Sequence, residues 1–405
     1  MQFKKFNTID NKELKAANTV LRSGILSAFI ASKNGFDGGK KVREFEEALK
    51  KFYKVKYAIT VNSWTSGLTA CVGALDISPG DEIIVPTWTM SATVMSILHW
   101  GAIPVFVDIE SETFCINPDK IKEKLSKKTK AIIAVDIYGH PSNIKKIKKI
   151  IKGTKIKIII DSAQAPYSFI DNKLTGTNGD LGGFSFNCHK HIQTGEGGVV
   201  VTNNKALAQR VKLIRNHGEN LINDFKIKNL NNIIGYNFRL TEIQAAIGIE
   251  QLKKLKRIVK KKNFEAKYLM SRLKNLDGLI LPKIKKNCTH SFYALPLIID
   301  KTKVKVDREK LIKKLKKEKI NCFSSGYLNV HTFPMFKKKI AYGKSNFPWS
   351  ISKKKINYNK KLCPVAEKLH NETLFTFGIC SYDFTKKNLE FISKKLIKVW
   401  NELNR

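Results

Sequence analysis

Acidic residues are scarce in this chain: 34 Asp and Glu stand against 74 Lys and Arg among 405 residues, a formal net charge of +40 at pH 7. Such an excess suits a nucleic-acid partner when the cations form a patch or an arm that tracks phosphates. Here they are overwhelmingly lysine and lie spread over many segments, such as Lys122 to Lys130, Lys145 to Lys157, Lys253 to Lys262 and Lys310 to Lys319. With no arginine-rich arm and no aromatic-basic pattern, the sequence predicts no nucleic-acid partner, and at most a salt-sensitive attraction for anionic ligands. Cysteine gives no framework either. The seven cysteines (71, 115, 188, 288, 322, 363 and 380) are odd in number and contain no C-x-x-C pair or repeated Cys/His spacing, so reduced thiols and no metal site are predicted. No apolar run is long enough for a signal peptide or a bilayer span, which predicts a cytoplasmic chain without membrane contact. Internal repeats and low-complexity linkers are missing as well.

What is present is enough apolar material, 42% of the residues, for two domains with substantial cores. After a helical leader (Asn11 to Arg22) and an amphipathic helix (Val42 to Phe52), near-continuous apolar strands begin at Tyr57 and alternate with helices. Strands are predicted at Tyr57–Asn62, Glu82–Pro86, Pro104–Asp108, Ala131–Asp136 and Lys155–Asp161, then on either side of Lys190. Helices fill the gaps, among them Thr87 to His99. This alternation predicts an α/β domain with about seven strands in one mostly parallel sheet, covered on both faces. Beyond a long helix from Ile243 to about Lys262 the pattern changes. A helix (Phe264 to Leu276), strands at Ser291–Ile299 and Ile320–Ser324, an irregular aromatic segment and a final helix (Lys387 to Asn401) predict a smaller α/β domain. The division expected is 1–262 and 263–405.

Polar residues collect at the carboxyl ends of the predicted strands, where open α/β sheets place their sites. Asp136 and Asp161 close two strands, and Gln164 follows the second. Thr65 and Ser66 stand between a strand and a helix start, a place suited either to phosphate or to plain N-capping. Ser185 leads into a turn bearing Lys190, followed by Gly195-Glu196-Gly197-Gly198. In so lysine-rich a chain a turn lysine is ordinarily a solvated charge. Collected at one edge, however, an amine, a carboxylate, an amide and a hydroxyl cradle are the parts that pyridoxal phosphate needs.

The chain also resembles the DegT/DnrJ/EryC1/StrS family of sugar aminotransferases, of pyridoxal-phosphate fold type I, over nearly its whole length. The matching stretches are Gly80–Pro86, Pro104–Asp108, Asp161-Ser-Ala-Gln-Ala165, Phe184-Ser-Phe186 with Lys190 and Gly195–Gly198, and Gly235–Arg239 with Glu242. The resemblance implies that Lys190 forms the Schiff base with pyridoxal 5'-phosphate, with the pyridoxamine form arising in turnover. It implies that Asp161 pairs with the pyridine nitrogen, that Gln164 lies by the ring, and that Thr65, Ser66 and Ser185 bind the phosphate. Asn237 would reach the phosphate from a neighbouring subunit, making a homodimer with shared active sites. Arg239 would hold the amino-acid donor's carboxylate, His331 would lie near the sugar nucleotide, and Met90 or Trp88 would pack on the cofactor ring. Family members with histidine in the lysine's slot are dehydratases, so register matters between His189, Lys190 and His191; the spacing places lysine there. Three departures stand out. Trp64 occupies a position usually held by glycine, narrowing the pocket or filling a gap; Met90 replaces an aromatic; and Asn187 replaces a common histidine. The activity implied is transfer of an amino group, with glutamate as donor, to a nucleotide-linked keto sugar for polysaccharide or secondary-metabolite synthesis. A sugar dehydratase on the same fold and a DNA-binding regulator are the alternatives.

Overall fold

Strands that are apolar on both faces require two layers of cover, and this requirement shapes the larger part of the molecule. The computed structural model describes residues 3–354, 356–359 and 361–405. Seven strands form one sheet: β1 (Tyr57–Val61), β2 (Glu82–Pro86), β3 (Ile103–Val107), β4 (Thr129–Val135), β5 (Lys157–Asp161), and, after a short hairpin of β6 (Phe169–Ile170) and β7 (Lys173–Leu174), β8 (Leu181–Ser185) and β9 (Gly198–Thr202). Their order is β1-β9-β8-β5-β4-β2-β3. Only β9 runs against its neighbours, β8 and β1. Alternation along each strand feeds two cores. Ile83, Val85, Ile133 and Ile159 join one cluster, whereas Ile84, Ile132, Ile158 and Ile160 join another on the opposite face.

Helices α1 (Asn11–Ser23), α2 (Lys40–Tyr53), α3 (Trp64–Ala74), α4 (Ser91–Leu98), α5 (Pro118–Lys122), α6 (Ile144–Ile150) and α7 (Lys205–Arg215) accompany this sheet. Helix α4 starts four residues later than the sequence suggested. The reason is that the preceding backbone is already engaged: Thr87 N–H donates to the Val107 carbonyl, the Thr87 carbonyl accepts from Val330 N–H, and Trp88 bridges to Asn329. The two helices expected around residue 263 are one, α8 (Glu242–Leu273). No Gly or Pro interrupts residues 249–277, and Asn263 bonds back to the Val259 carbonyl at 3.0 Å instead of ending the helix. Residue 262 therefore lies inside a continuous helix, with Leu255 and Ile258 in the core shared with α2 and Leu269 and Leu273 in the core of the smaller sheet.

That smaller antiparallel sheet has the order β10 (Leu279–Ile280), β11 (Leu295–Ile299), β13 (Leu374–Phe377), β12 (Phe323–Ser324), packed with α9 (Arg308–Lys317) and α12 (Lys386–Asn404). The aromatic segment read as irregular holds short helices, among them α10 (Pro334–Lys338) and α11 (Pro364–Lys368), and β13, a central strand too short to show a period. Val330, Phe336, Trp349 and Tyr358 from the same segment join the core of the large sheet. Among the described residues, no helix is long and apolar enough to cross a membrane, and no group of three or more His, Cys, Asp or Glu is placed to hold a metal ion.

Candidate active site

A cavity of about 340 Å³ opens at the carboxyl ends of β5 and β8, beside the N-terminal turn of α3. It is lined by Thr65, Met90, Asp161, Gln164, Ser185 and Lys190, by Trp64 and Asn187, two of the departures from the family noted above, by Glu196 of the Gly195–Gly198 segment, and by Thr89, Thr93, Tyr293 and Tyr327, which the sequence did not single out.

Asp161 ends β5, where its carboxylate is almost fully enclosed. Its Oδ1 accepts from the Trp64 indole Nε1 at 2.7 Å and from Ala163 N–H at 3.2 Å; its Oδ2 accepts from the Thr93 hydroxyl at 2.8 Å. A buried carboxylate requires such donors. Gln164 is clamped at both ends of its amide. Oε1 accepts from Tyr138 N–H at 2.6 Å, and Nε2 donates to the Tyr327 hydroxyl at 2.7 Å. Asp136, the other strand-end acid, does not line the cavity. It is fully buried, accepting from Ser142 N–H, from the hydroxyl of Ser162 and from that of Thr175, and burial raises its pKa to about 6.

Lys190 sits on a turn built by Asn187, whose side-chain oxygen accepts from His189 N–H at 3.1 Å and whose amide donates to Glu196 at 2.9 Å. Lys190 N–H closes the turn on the Asn187 carbonyl. Beyond it Gly195, at φ 80°, allows a reversal that other residues resist. The Lys190 ammonium lies 4.4 Å from the centre of the Tyr293 ring, and among the described residues it has no hydrogen-bond or ion-pair partner. Burial pushes its pKa below the usual lysine value, against the nearby charge of Asp161. The flanking histidines differ from it. His191 is fully buried, its Nε2 held by the Ser291 carbonyl at 2.9 Å and its pKa lowered by burial to about 4; His189 is exposed and lines the cavity's side.

The first turn of α3 has N–H groups without helical acceptors, and it faces the same space. Ser63 is its N-cap, accepting from Ser66 N–H at 3.1 Å. Thr65 lines the cavity, whereas the Ser66 hydroxyl turns back to Ser63 at 3.0 Å and is not among the lining groups.

Four further residues named from sequence stand elsewhere. Trp88 is completely buried in the core, with its indole N–H on the Tyr138 hydroxyl, so it has no free ring face for a ligand. His331 is equally enclosed, between Thr87 Oγ1 at 2.6 Å and Glu367 Oε1 at 3.1 Å. Both were implied by the family resemblance, which matches positions along the chain and does not report side-chain direction. Asn237 and Arg239 do not line this cavity: Asn237 is exposed, and the Arg239 guanidinium bonds to its side chain at 2.7 Å. Met90, more than half exposed, does line the cavity. Thr89 and Thr93 carried a readable signal, hydroxyls four residues apart after a strand end. Tyr293 and Tyr327 carried none, since they arrive from the smaller sheet's side of the chain.

Comparison with known proteins identifies the family and the fold. The profile of the DegT/DnrJ/EryC1/StrS aminotransferase family matches residues 8–374. The chain is 33% identical over 342 residues to the GDP-perosamine synthase of Vibrio cholerae, covering 84% of this chain and 89% of that protein. It is 32% identical over 335 residues to the GDP-4-keto-6-deoxy-D-mannose 3-dehydratase of Escherichia coli O55:H7 (strain CB9615 / EPEC), covering 78% and 83%. A crystal structure of GDP-4-keto-6-deoxymannose-3-dehydratase with a trapped PLP-glutamate geminal diamine matches the fold with a TM-score of 0.79 at 28% identity, over 97% of this chain and 99% of that one. The chain belongs to the DegT/DnrJ/EryC1/StrS aminotransferase family.

Proposed function

We propose that this protein is a pyridoxal-phosphate-dependent aminotransferase that moves an amino group from an amino acid, glutamate foremost, to a nucleotide-linked keto sugar. The observation that carries the reading is that a lysine, Lys190, shares the cavity with Asp161 and has its charge disfavoured by burial. The donor set fits the cofactor. An aldehyde calls for an amine with a neutral fraction, a pyridine nitrogen for a carboxylate, and a phosphate for hydroxyls at a helix start. Lys190, Asp161, and Thr65 with Ser185 would meet these needs in turn. When bound, pyridoxal phosphate supplies a carbonyl for the donor amine and an electron sink for the carbon that loses its proton.

The chain's own residues do the rest. Lys190 would hold the cofactor through Nζ and, once freed by the donor amine, would take and return a proton there. Asp161 would keep the ring nitrogen charged. Gln164, fixed by Tyr138 and Tyr327, would stand beside the ring. Tyr293 walls the lysine on one side. Relatives with dehydratase names share the fold, but His191 is bound to Ser291 in the interior and does not compete for the lysine's place.

In the same reading the working unit is a homodimer, with Asn237 and Arg239 serving the partner's cavity. Support comes from the position of both residues outside their own cavity, Asn237 exposed and Arg239 half-buried, and from large apolar side chains, Ile25, Ile30, Leu230 and Ile234, left more than half exposed in nearby segments. Ile30 is tied to this region through its carbonyl, which accepts from Asn216.

Incubation with pyridoxal phosphate, glutamate and a panel of keto sugar nucleotides tests the activity. A visible cofactor band that glutamate bleaches, with 2-oxoglutarate and an amino sugar as products, is the expected result. A keto-deoxy product without glutamate consumption would favour the dehydratase, and a protein that stays colourless with the cofactor would end the proposal.

A further inference from the structure

We infer that Trp64 is a positioning residue for Asp161, and that its indole N–H, together with the Thr93 hydroxyl, sets which acceptor position of the carboxylate is left for the cofactor's ring nitrogen. The inference rests on the cofactor reading above and deepens it. An ionised carboxylate only accepts, and its two oxygens offer about four lone-pair positions. At Oδ1 both are taken, by Trp64 Nε1 at 2.7 Å and by Ala163 N–H at 3.2 Å. At Oδ2 one is taken, by Thr93 at 2.8 Å. One position on Oδ2 therefore remains, on a group that lines the cavity.

The direction of the supporting bonds follows from the same chemistry. Because Thr93 must donate to Asp161, its oxygen accepts from Thr89, 2.9 Å away, and the chain runs Thr89 to Thr93 to Asp161. The indole is held as firmly. It lies in a slot where Gly67 and Gly183 have no side chains: a Cβ at Gly67 would come within 2.7 Å of the ring, and one at Gly183 within 2.1 Å. The start of α3 is also pressed against β9, where a Cβ on Gly198 would stand 2.7 Å from Trp64 N. Trp64 is thus a fixed donor on a carboxylate, the kind of interaction that orients a group as well as stabilising its charge.

Trp64→Phe tests this, since an aromatic ring is kept at the position while the donor is lost. The holoenzyme is followed by the pH titration of its visible cofactor band and by kcat and KM for glutamate. The variant is expected to bind the cofactor at Lys190, to titrate at a displaced pH, and to lose about tenfold in kcat with little change in KM, the size of one charge-assisted hydrogen bond. Thr93→Val is expected to do the same and Thr93→Ser to retain wild-type behaviour. Unchanged titration and kcat in Trp64→Phe would overturn the assignment. Should that variant fail to fold, the indole N–H resonances of the apoprotein serve instead. One resonance is expected to move upfield in Asp161→Asn, and no movement overturns the inference. A wild type that binds no pyridoxal phosphate, yet shows the Asp161-dependent resonance, would instead place the failure in the functional proposal.

Discussion

Lys190 shows how one side chain is decided by its neighbours. Its ammonium has lost water and, among the described residues, gained no hydrogen-bond acceptor, only the face of Tyr293 and the field of Asp161. A neutral amine is the form that attacks an aldehyde. Capture of pyridoxal phosphate by the apoprotein should therefore speed up as pH rises and level off below pH 10.5, the ordinary lysine value that burial has lowered. Stopped-flow absorbance measures this, and a rate still climbing past that pH contradicts it. Lys190→Ala should reduce transamination about a thousandfold, the combined loss of nucleophile and proton carrier. Its apoprotein should melt no lower than wild type, because the ammonium removed is partly desolvated and, among the described residues, makes no hydrogen bond or ion pair. That Lys190, Asp161 and Gln164 meet in one cavity was legible because polar residues at the ends of neighbouring strands collect at one edge of the sheet. Trp88 and His331, implied by the family resemblance, lie outside the cavity for a physical reason: a match of positions sets where the backbone passes, while burial in the core sets where those side chains point.

At the scale of elements, Glu242 shows an order that no local pattern reveals. It matched the family signature after Arg239, yet its carboxylate serves the start of α2, some two hundred residues away. Oε2 accepts from Lys41 N–H at 2.7 Å and Oε1 from Val42 N–H at 3.2 Å. The residue before that helix is Gly39, which has no side chain to cap it, and a Cβ there would stand 2.5 Å from the carboxylate. Glu242 is thus both the first residue of α8 and the N-terminal cap of α2. Two charge-assisted bonds at the positive end of a helix dipole suggest a loss of about 2 kcal/mol in Glu242→Ala. Urea unfolding checks this, and a change below about 0.5 kcal/mol contradicts a capping role. The alternation of strands and helices was readable because each strand is apolar and bounded by polar turns. The unbroken α8 was not, since a polar Asn263 looks like an end until its bond to Val259 is seen. Strand β13 was missed because four residues carry no period.

For the whole molecule, acid sets opposing buried groups against each other. Burial lowers the pKa of His191 to about 4, and that of His290 well below 6.5, so between these values and the ordinary histidine range the unfolded chain binds more protons than the folded one. Stability from these residues is present above pH 6.5 and lost as pH falls. Asp136 acts in the other direction. Its pKa, raised by burial to about 6 from 3.8, makes the folded protein the tighter proton binder in that window, so its contribution is present below 3.8 and lost as pH rises through 6. The wild type is consequently protected in part from acid by a buried acid. Asp136→Asn removes this titration and leaves the histidines unopposed. Whatever its stability at pH 7, the variant should lose about 2 kcal/mol more than wild type on going to pH 4.5, the value the Asp136 shift implies over that interval. Urea midpoints of the two proteins across pH 4.5 to 7, with the slope of unfolding held under watch, measure the difference directly. A gap between them that stays constant with pH would mean that Asp136 does not change its protonation on unfolding in this range, and that its cluster with Ser142, Ser162 and Thr175 holds the carboxylate charged despite its burial.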